Sequence, residues 1–309
     1  MKYFKKAKKY VIIGVNALKT ELDFSDYSDF TFKTPFDFAK NSSIGCGGVA
    51  AVVFYPSNVA EMVAVIEKLK KNGVEYRILG NLTNVLPPDG HADYAVVSTK
   101  KMDGIVMGER VFAYAGAMSG KLLHACKREK RSGLEFLSGI PCTLGGALYM
   151  NAGVKGAYIS DVVENVLVLR EGERRILSWK DCSYAYKKSV FMENGDCILG
   201  ATLRLERATE GKIEERERRY LERRLHLPKG KSMGCVFKNP PAAYAGELVE
   251  RSGLKGFRIG GAKISEQHAN FIINEGTATS ADIRALIAVA KNAVQAQYGI
   301  RLEEEIQYL

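Results

Sequence analysis

The stretch from Val49 to Leu79 constrains the fold more than any other part of the chain. Val49, Ala50, Ala51, Val52, Val53, Phe54 and Tyr55 are apolar without interruption. That is the pattern of a strand buried on both faces, not of one that turns a polar face to water. Pro56 ends the run. Asn58 then stands three residues before Glu61, as in a capping box, and Val59, Met62, Val63, Ile66 and Leu69 recur at helical spacing until Gly73. Tyr76–Leu79 predicts the next strand, so residues 49–79 read as one strand–helix–strand unit.

Further short strands are expected at Tyr94–Ser98, Ile105–Met107, Val111–Ala115, Val162–Leu169 and Cys197–Leu205, with a helix over Ser119–Lys130 among them. Strands outnumber helices, which points to an α+β fold and not a doubly wound sheet. A charged helix, about Ile213–Leu225, marks a boundary, and Pro228, Gly230, Pro240 and Pro241 punctuate the chain after it. The last third predicts a helix at Ala245–Ser252 that ends at Gly253, and a strand at Asn270–Asn274. Thr279, with Asp282 in the first turn, opens a long helix whose apolar face is Ile283, Leu286, Ile287, Ala290, Val294 and Tyr298. Residues 1–210 thus read as a nucleotide-binding body and residues 211–309 as a separate domain that closes on the acidic run Glu303–Glu305.

The bulk numbers allow this and exclude other classes. A chain of 309 residues with 46% hydrophobic and 26% charged residues is of globular type and long enough for two or three cores. Its net charge of +10 suits anionic partners such as diphosphates and nucleotides, or simply makes a basic surface. The charges cluster twice. Lys5, Lys6, Lys8 and Lys9 form one group. In the other, Arg216 to Arg224, five arginines mix with Glu217 and Glu222, the pattern of a solvated helix face held by i,i+4 pairs. No base-reading motif is present, so no nucleic-acid partner is expected. The six cysteines, Cys46, Cys126, Cys142, Cys182, Cys197 and Cys235, form no C-x-x-C pair, so a reduced cytosolic protein without a metal site is expected. The apolar run Val11–Val15 is too short for a signal segment. No stretch reaches the roughly 20 apolar residues of a membrane helix.

Three segments carry chemistry. Leu79-Gly80-Asn81-Leu82-Thr83-Asn84-Val85-Leu86 follows a strand and turns sharply. Such a loop can aim several N–H groups at one anion, a diphosphate for instance, with Thr83 and Asn84 adding side-chain donors; an ordinary polar turn has the same composition. In Gly139-Ile140-Pro141-Cys142-Thr143-Leu144-Gly145-Gly146-Ala147, continuing through Asn151, Ala152 and Gly153, the paired glycines let backbone approach a planar ligand or a phosphate, or make a bend between elements. In Gly234-Cys235-Val236-Phe237-Lys238-Asn239-Pro240-Pro241, Cys235 reads as a thiol acid or nucleophile, or as a buried structural cysteine.

Together and in this order the three segments resemble the UDP-N-acetylenolpyruvoylglucosamine reductases. That family has Leu-Gly-Gly-Gly-Ser-Asn, Gly-Ile-Pro-Gly-Thr-Val-Gly-Gly and Gly-Ser-Val-Phe-Lys-Asn-Pro at these places. Gly133 to Phe136, Asn151-Ala152-Gly153, Gly156, Ser160-Asp161-Val162, Ala245-Gly246, Gly253-Leu254-Lys255-Gly256, Ile259-Gly260-Gly261-Ala262, His268-Ala269-Asn270-Phe271-Ile272 and Leu302-Glu303-Glu304-Glu305 extend the match over about residues 42–309. The resemblance implies an FAD-binding body of the vanillyl-alcohol-oxidase type, in two α+β subdomains divided near residue 100, with a C-terminal α+β substrate-binding domain.

It also implies a cycle. NADPH reduces the flavin and leaves, and the enolpyruvyl ether of UDP-N-acetylglucosamine then takes its place. FAD would be held by Leu79, Gly80, Asn81, Leu82, Thr83, Asn84 and Val85 at its diphosphate, and by Gly139, Ile140, Pro141, Thr143, Gly145, Gly146, Asn151 and Gly153 along the flavin. A hydride added to the terminal alkene carbon leaves negative charge on its neighbour, which needs a proton and a cationic or hydrogen-bonding partner. The family's Ser, Arg and Glu fall on Cys235, Lys187 and Glu305, and Lys188 is the alternative to Lys187. Cys in place of Ser keeps an acid at that position. Lys in place of Arg keeps the charge but loses the planar fork. Asn81 and Leu82 stand where glycines are usual, and Leu82 is strained if its φ must be positive. Tyr186 and Asn239 fall at positions that meet the substrate's UDP portion, although Tyr186 also reads as a half-buried structural tyrosine and Glu305 as a solvated tail residue. His268 reads as structural.

The expected partner is therefore a small-molecule UDP sugar, acting on a monomer with no membrane association. Two other readings remain on the residues alone: a flavin oxidoreductase of the same scaffold with another substrate, and a nucleotide-sugar-binding protein without catalysis.

Overall fold

A computed structural model describes residues 24–309, together with the paired backbone of Tyr10–Ile12 and Thr20–Leu22. The lysine group at 5, 6, 8 and 9, and most of the short apolar run after it, lie outside the described residues. The apolar run 49–55 is buried on both faces, but it is two strands and not one. Val49–Ala50 pairs with Phe36–Asp37 and His91–Ala92 in a small three-stranded sheet. The chain bends at Ala51 and Val52, and Val53–Phe54 enters a different sheet of four strands. Ala50 and Val53 then face one cluster with Phe38, Leu82 and Val96, while Val52 and Phe54 face another with Met62, Val65 and Ala95. Continuous burial is thus met by serving two cores, which a hydrophobic run alone does not distinguish from one long strand.

The four-stranded sheet runs in the order Phe32–Lys33, Val53–Phe54, Ala95–Ser98, Tyr76–Leu79; the last three are parallel. The helix Val59–Lys71 crosses over between Val53–Phe54 and Tyr76–Leu79 and buries Met62, Val65, Ile66 and Leu69 on the sheet. Its start is built as the sequence predicts, with one difference. Asn58 accepts from the Glu61 N–H at 2.9 Å, but the Glu61 carboxylate reaches back to the N–H and hydroxyl of Ser57 rather than to the Asn58 N–H.

The next sheet has five antiparallel strands, in the order Ile105–Val106, Val111–Tyr114, Cys197–Leu203, Val163–Arg170, Glu173–Ser178. Helices Ser119–Arg128 and Leu144–Tyr149 share its core through Leu122, Cys126, Leu144, Ala147 and Leu148. The edge strand Glu173–Ser178 was not expected. Five of its six residues are exposed, so it carries no hydrophobic period, and its pairing partner alone specifies it.

A fourth core is formed by the strands Arg258–Ile259, Ala262–Ile264 and Ile272–Asn274 with helices Ala245–Arg251 and Ser280–Tyr298. Thr279 and Asp282 make a reciprocal capping box at the start of the long helix, with bonds of 3.1 and 2.9 Å. Asp89, from the preceding part of the chain, accepts from the N–H groups of Ser280 and Ala281 at 2.9 Å each, where a helix start favours an anion. Mixed parallel and antiparallel strands with segregated helices make the fold α+β.

Two residues tie these parts together at visible cost or gain. Asn274 is buried and uses its whole amide. It donates to Ile44 O and Gly45 O at 2.9 and 3.0 Å and accepts from Gly276 and Ala278 N–H at 2.8 and 3.0 Å. Leu82 has φ +53°, a left-handed conformation that disfavours a side chain with a Cβ, yet that side chain is buried against Phe36, Phe38 and Ala50. Asn274→Ala leaves buried carbonyls and N–H groups unpaired and is expected to lower stability by about 2–4 kcal/mol in urea unfolding. Leu82→Gly relieves about 1–2 kcal/mol of backbone strain but removes a buried side chain worth about 2–5 kcal/mol. Net destabilisation is expected, and a variant more stable than the parent contradicts this accounting.

Candidate active site

The first two glycine-bearing segments meet directly. Gly80 follows the strand Tyr76–Leu79, and a Cβ there would stand 2.3 Å from Thr143 Oγ1, so only glycine lets the two loops close. Asn81 Nδ2 donates to Pro141 O at 2.8 Å. Among the described residues, the backbone N–H groups of Asn81, Leu82, Thr83 and Asn84 donate to nothing. Four consecutive amides left free on a turned loop can serve as donors to an anion. Beside Gly139, the Ser138 hydroxyl is buried with no partner among the described residues. A buried polar atom without a partner is rare enough to need a reason, and a polar ligand supplies one.

The second segment differs from the bend its glycines suggest. Thr143 caps a short helix, Leu144–Tyr149, and accepts from Gly146 N–H at 3.3 Å. The N–H groups of Leu144 and Gly145 donate to Ala117 O and Ala115 O at 2.8 Å each. Gly145 and Gly146 therefore offer closeness and no spare donors. Asn151 (φ +43°) is engaged at both ends of its amide, accepting from Ser160 N–H at 3.2 Å and donating to Ala185 O at 2.9 Å. Gly153 lies in a hairpin where a Cβ would stand 2.3 Å from Ala157 O. Ile140 O accepts from the Ser119 hydroxyl at 2.5 Å. Asn151, Gly153 and Ile140 are thus accounted for by packing within the chain, while the amides of Asn81–Asn84 keep their donors free.

Asn151 holds the turn that carries the next group. Ala185 and Lys188 exchange backbone hydrogen bonds of 3.1 Å, with Tyr186 and Lys187 at the tip. Lys187 has φ +53° at the turn position where glycine is favoured. That strain, of order 1 kcal/mol, turns its side chain inward. Lys187 Nζ lies 2.7 Å from Glu305 Oε1, both side chains being about 85% buried. Lys188 points the other way and pairs with Glu193 in solvent. Lys187 is therefore the lysine at the site. Burial works against its charge, but the Glu305 carboxylate outweighs this and holds the ammonium above its ordinary pKa. Glu305 is no solvated tail.

The third segment runs beside Glu303–Glu305. Glu305 N–H donates to Val236 O at 2.7 Å and Lys238 N–H to Glu303 O at 2.9 Å. Asn270 lies beneath: its Oδ1 accepts from Phe237 N–H at 2.8 Å and its Nδ2 donates to Phe237 O at 2.9 Å. Cys235, half-buried, sits at the head of this ladder. Burial pushes its thiol up to about 12; the Glu305 charge adds to the rise, and Lys187 and Arg224 oppose it. Asn239 N–H donates to Tyr186 OH at 3.3 Å, and Asn239 Oδ1 caps the helix Ala245–Arg251 through Ala245 N–H at 3.0 Å. Tyr186 and Asn239 are thus neighbours at the rim. Tyr186 is exposed, so a structural, half-buried role is not what it has. His268 Nδ1 accepts from Asn270 N–H at 3.2 Å, and burial lowers its pKa, as befits a neutral structural histidine.

Sequence reasoning missed Arg224 and Asn270. The helix Glu210–Glu222 has the expected outer pairs, Arg219–Glu215 at 2.5 Å and Arg218–Glu222 at 3.8 Å, but Arg224 is not part of that solvated face. Its Cδ and Nε lie 3.0 Å from where a Cβ on Gly139 would be. The signal was legible: positions 220, 221, 227 and 228 hold Tyr, Leu, Leu and Pro, so no acid stands three or four residues away. A surface hollow lined by Met107, Gly108, Glu109, Glu129, Arg131 and Arg207 shares no residue with this site. Among the described residues no cluster of His, Cys, Asp or Glu is placed to hold a metal ion. No helix there is long and apolar enough to cross a membrane.

Comparison with known proteins agrees with this geometry. The sequence profile described as UDP-N-acetylenolpyruvoylglucosamine reductase, C-terminal domain, matches residues 226–309, and that of an FAD binding domain matches residues 50–177. The UDP-N-acetylenolpyruvoylglucosamine reductase of Caldicellulosiruptor saccharolyticus is 38% identical over 272 residues, 85% of this chain and 87% of that protein. The enzyme of the same name from Moorella thermoacetica is 39% identical over 268 residues, 84% of this chain and 87% of its own length. The crystal structure of the reductase from Thermus caldophilus superposes with a TM-score of 0.79 at 30% identity, covering 90% of this chain and 99% of that one. Likeness of this extent makes the chain a member of the UDP-N-acetylenolpyruvoylglucosamine reductase family.

Proposed function

We propose that the chain reduces UDP-N-acetylenolpyruvoylglucosamine to UDP-N-acetylmuramate with NADPH as electron donor, in peptidoglycan precursor synthesis. The observation that carries this reading is the buried Lys187–Glu305 pair at 2.7 Å, which acts on the thiol of Cys235 while burial favours its protonated form. FAD fits the site: the amides of Asn81–Asn84 are free to take its diphosphate, and the unpaired Ser138 hydroxyl with Gly139 borders a place for its ring. Leu79, Gly80, Val85, Pro141, Thr143 and the paired glycines shape these loops. When bound, FAD would supply hydride chemistry with electrons from NADPH, and the acceptor would be the terminal alkene carbon of the enolpyruvyl ether. All else falls to the protein. Cys235 Sγ gives its proton to the adjacent carbon, so one hydride and one proton saturate the double bond, and the thiolate regains a proton from solvent. Lys187 faces the charge that develops between these steps, and Glu305 fixes Lys187 against its turn strain. Tyr186 and Asn239, joined at the rim, meet the UDP portion.

Residues 1–210, in two subdomains divided near residue 100, form the cofactor-binding body, and 211–309 the substrate-binding domain. The enzyme works as a cytoplasmic monomer with no nucleic-acid or membrane partner. The six cysteines are all free, which suits a reducing compartment.

Anaerobic stopped-flow absorbance tests the assignment by separating the half-reactions. Cys235→Ala should leave flavin reduction by NADPH within about twofold and slow reoxidation by the enolpyruvyl substrate by roughly 10²–10⁴-fold. Equal slowing of both halves removes Cys235 from the role of acid. Wild-type reduced flavin that the substrate fails to reoxidise removes the activity itself. The raised thiol pKa adds a pH expectation. With a pKa near 12, the donor form persists throughout the neutral and mildly alkaline range, and thiolate appears only as the pH climbs past about 10. Iodoacetamide labelling of Cys235, read by mass spectrometry, should stay slow from about pH 7 to 9 and accelerate above about 10. A midpoint near an ordinary cysteine pKa, about 8.5, contradicts it.

A further inference from the structure

The cation expected at the substrate's negative charge, Lys187, is already matched by Glu305 at 2.7 Å, so the pair together is neutral. The chemistry asks for more than that. A carboxylate entering the site, and the charge added to it when hydride arrives, need a net positive partner with well-placed donors. The other ionic group acting on the Cys235 thiol is Arg224.

Arg224 stands two residues beyond the helix Glu210–Glu222, its backbone N–H donating to Leu221 O at 2.9 Å. Its side chain crosses to the elbow at Gly139 (φ +75°), where its Cδ and Nε fill the space a side chain would need. Its charge reaches both Cys235 and Cys142, so it looks across the gap between the second and third segments. The guanidinium is half-buried, and burial is the first cause pulling its pKa down. It nevertheless makes no ion pair and no side-chain hydrogen bond among the described residues. Five donors taken partly out of water without one acceptor are costly, and the arrangement is explained by an acceptor that arrives with the ligand.

We propose that Arg224 is the anion-recognition residue of this site, taking the carboxylate of the enolpyruvyl group in a two-pronged grip while the Lys187–Glu305 pair orients the charge beside the thiol. The inference rests on the reductase reading of the site. Proximity selects the carboxylate over the diphosphate. The carboxylate is bonded to the carbon that receives the proton from Cys235, whereas a whole sugar separates that carbon from the diphosphate. Geometry also selects Arg224 over Lys187. Lysine offers a point charge, and only a guanidinium matches both oxygens of a carboxylate at once.

The test uses FAD-loaded holoenzyme and two ligands that differ at the carboxylate. Calorimetric titration of the oxidised enzyme with UDP-N-acetylmuramate, which has it, and UDP-N-acetylglucosamine, which lacks it, is run on wild type, Arg224→Met and Arg224→Lys. Arg224→Met should weaken the first ligand by roughly 10- to 100-fold and leave the second within about twofold. Arg224→Lys should restore only part of the loss, and both variants should retain FAD. Equal weakening of both ligands assigns Arg224 to the UDP portion and overturns the proposal; so does no weakening, and so does loss of FAD. Wild-type holoenzyme that binds neither ligand overturns the reductase reading, and the role of Arg224 with it.

Discussion

The segment from Glu303 to Leu309 is held on both sides by the loops that carry the chemistry, and the rest of the site depends on that clamp. On one side, Glu303 and Glu305 pair with Lys238 and Val236. On the other, Asn84 Nδ2 donates to Glu305 O at 3.1 Å, Gln307 N–H to Asn84 O at 2.9 Å and Leu309 N–H to Leu86 O at 3.2 Å. Glu305 sits where the two ladders cross. Its backbone is fixed by hydrogen bonds to both neighbours before its side chain makes any contact, so its carboxylate has one direction to point. A buried carboxylate needs a partner, and Lys187 supplies it from a turn bent into an unfavourable conformation.

This order of dependence explains the electrostatics. The thiol of Cys235 feels Glu305, Lys187 and Arg224 at once, and burial dominates all three. A thiol poised as a nucleophile has neighbours that lower its pKa strongly. Here the balance keeps the proton on sulfur, which is the state an acid requires. The substitution of Cys for the Ser usual in the family is therefore consistent with the environment around it.

The sequence spoke clearly where periodicity and caps agree. Helix Val59–Lys71, helix Ser280–Tyr298 with its Thr279–Asp282 box, and the long strands of the five-stranded sheet all follow from spacing. It was silent on Glu173–Ser178, because an exposed edge strand has no apolar period, and ambiguous at Val49–Tyr55, because burial on two faces looks the same whether one sheet or two are served. Of the site, the identities of Cys235, Lys187 and Glu305 came from resemblance and their meeting from the fold, since residues 187, 235 and 305 share no local pattern. The choice between Lys187 and Lys188 turned on one positive φ, which composition does not encode. Arg224 was hidden by its neighbours: a run of arginines and glutamates reads as a wet helix face until each residue is checked for its own acid.

The parallel pairing of Val85–Leu86 with Gln307–Tyr308 has a consequence beyond shape. The loop whose free amides await an anion and the strand that bears Glu305 are one hydrogen-bonded unit, so neither has an independent degree of freedom. Whatever steadies the loop steadies the carboxylate, and through it the ammonium and the sulfhydryl, without touching them. On the proposed function, cofactor retention and the alignment of Cys235 would then be a single mechanical property.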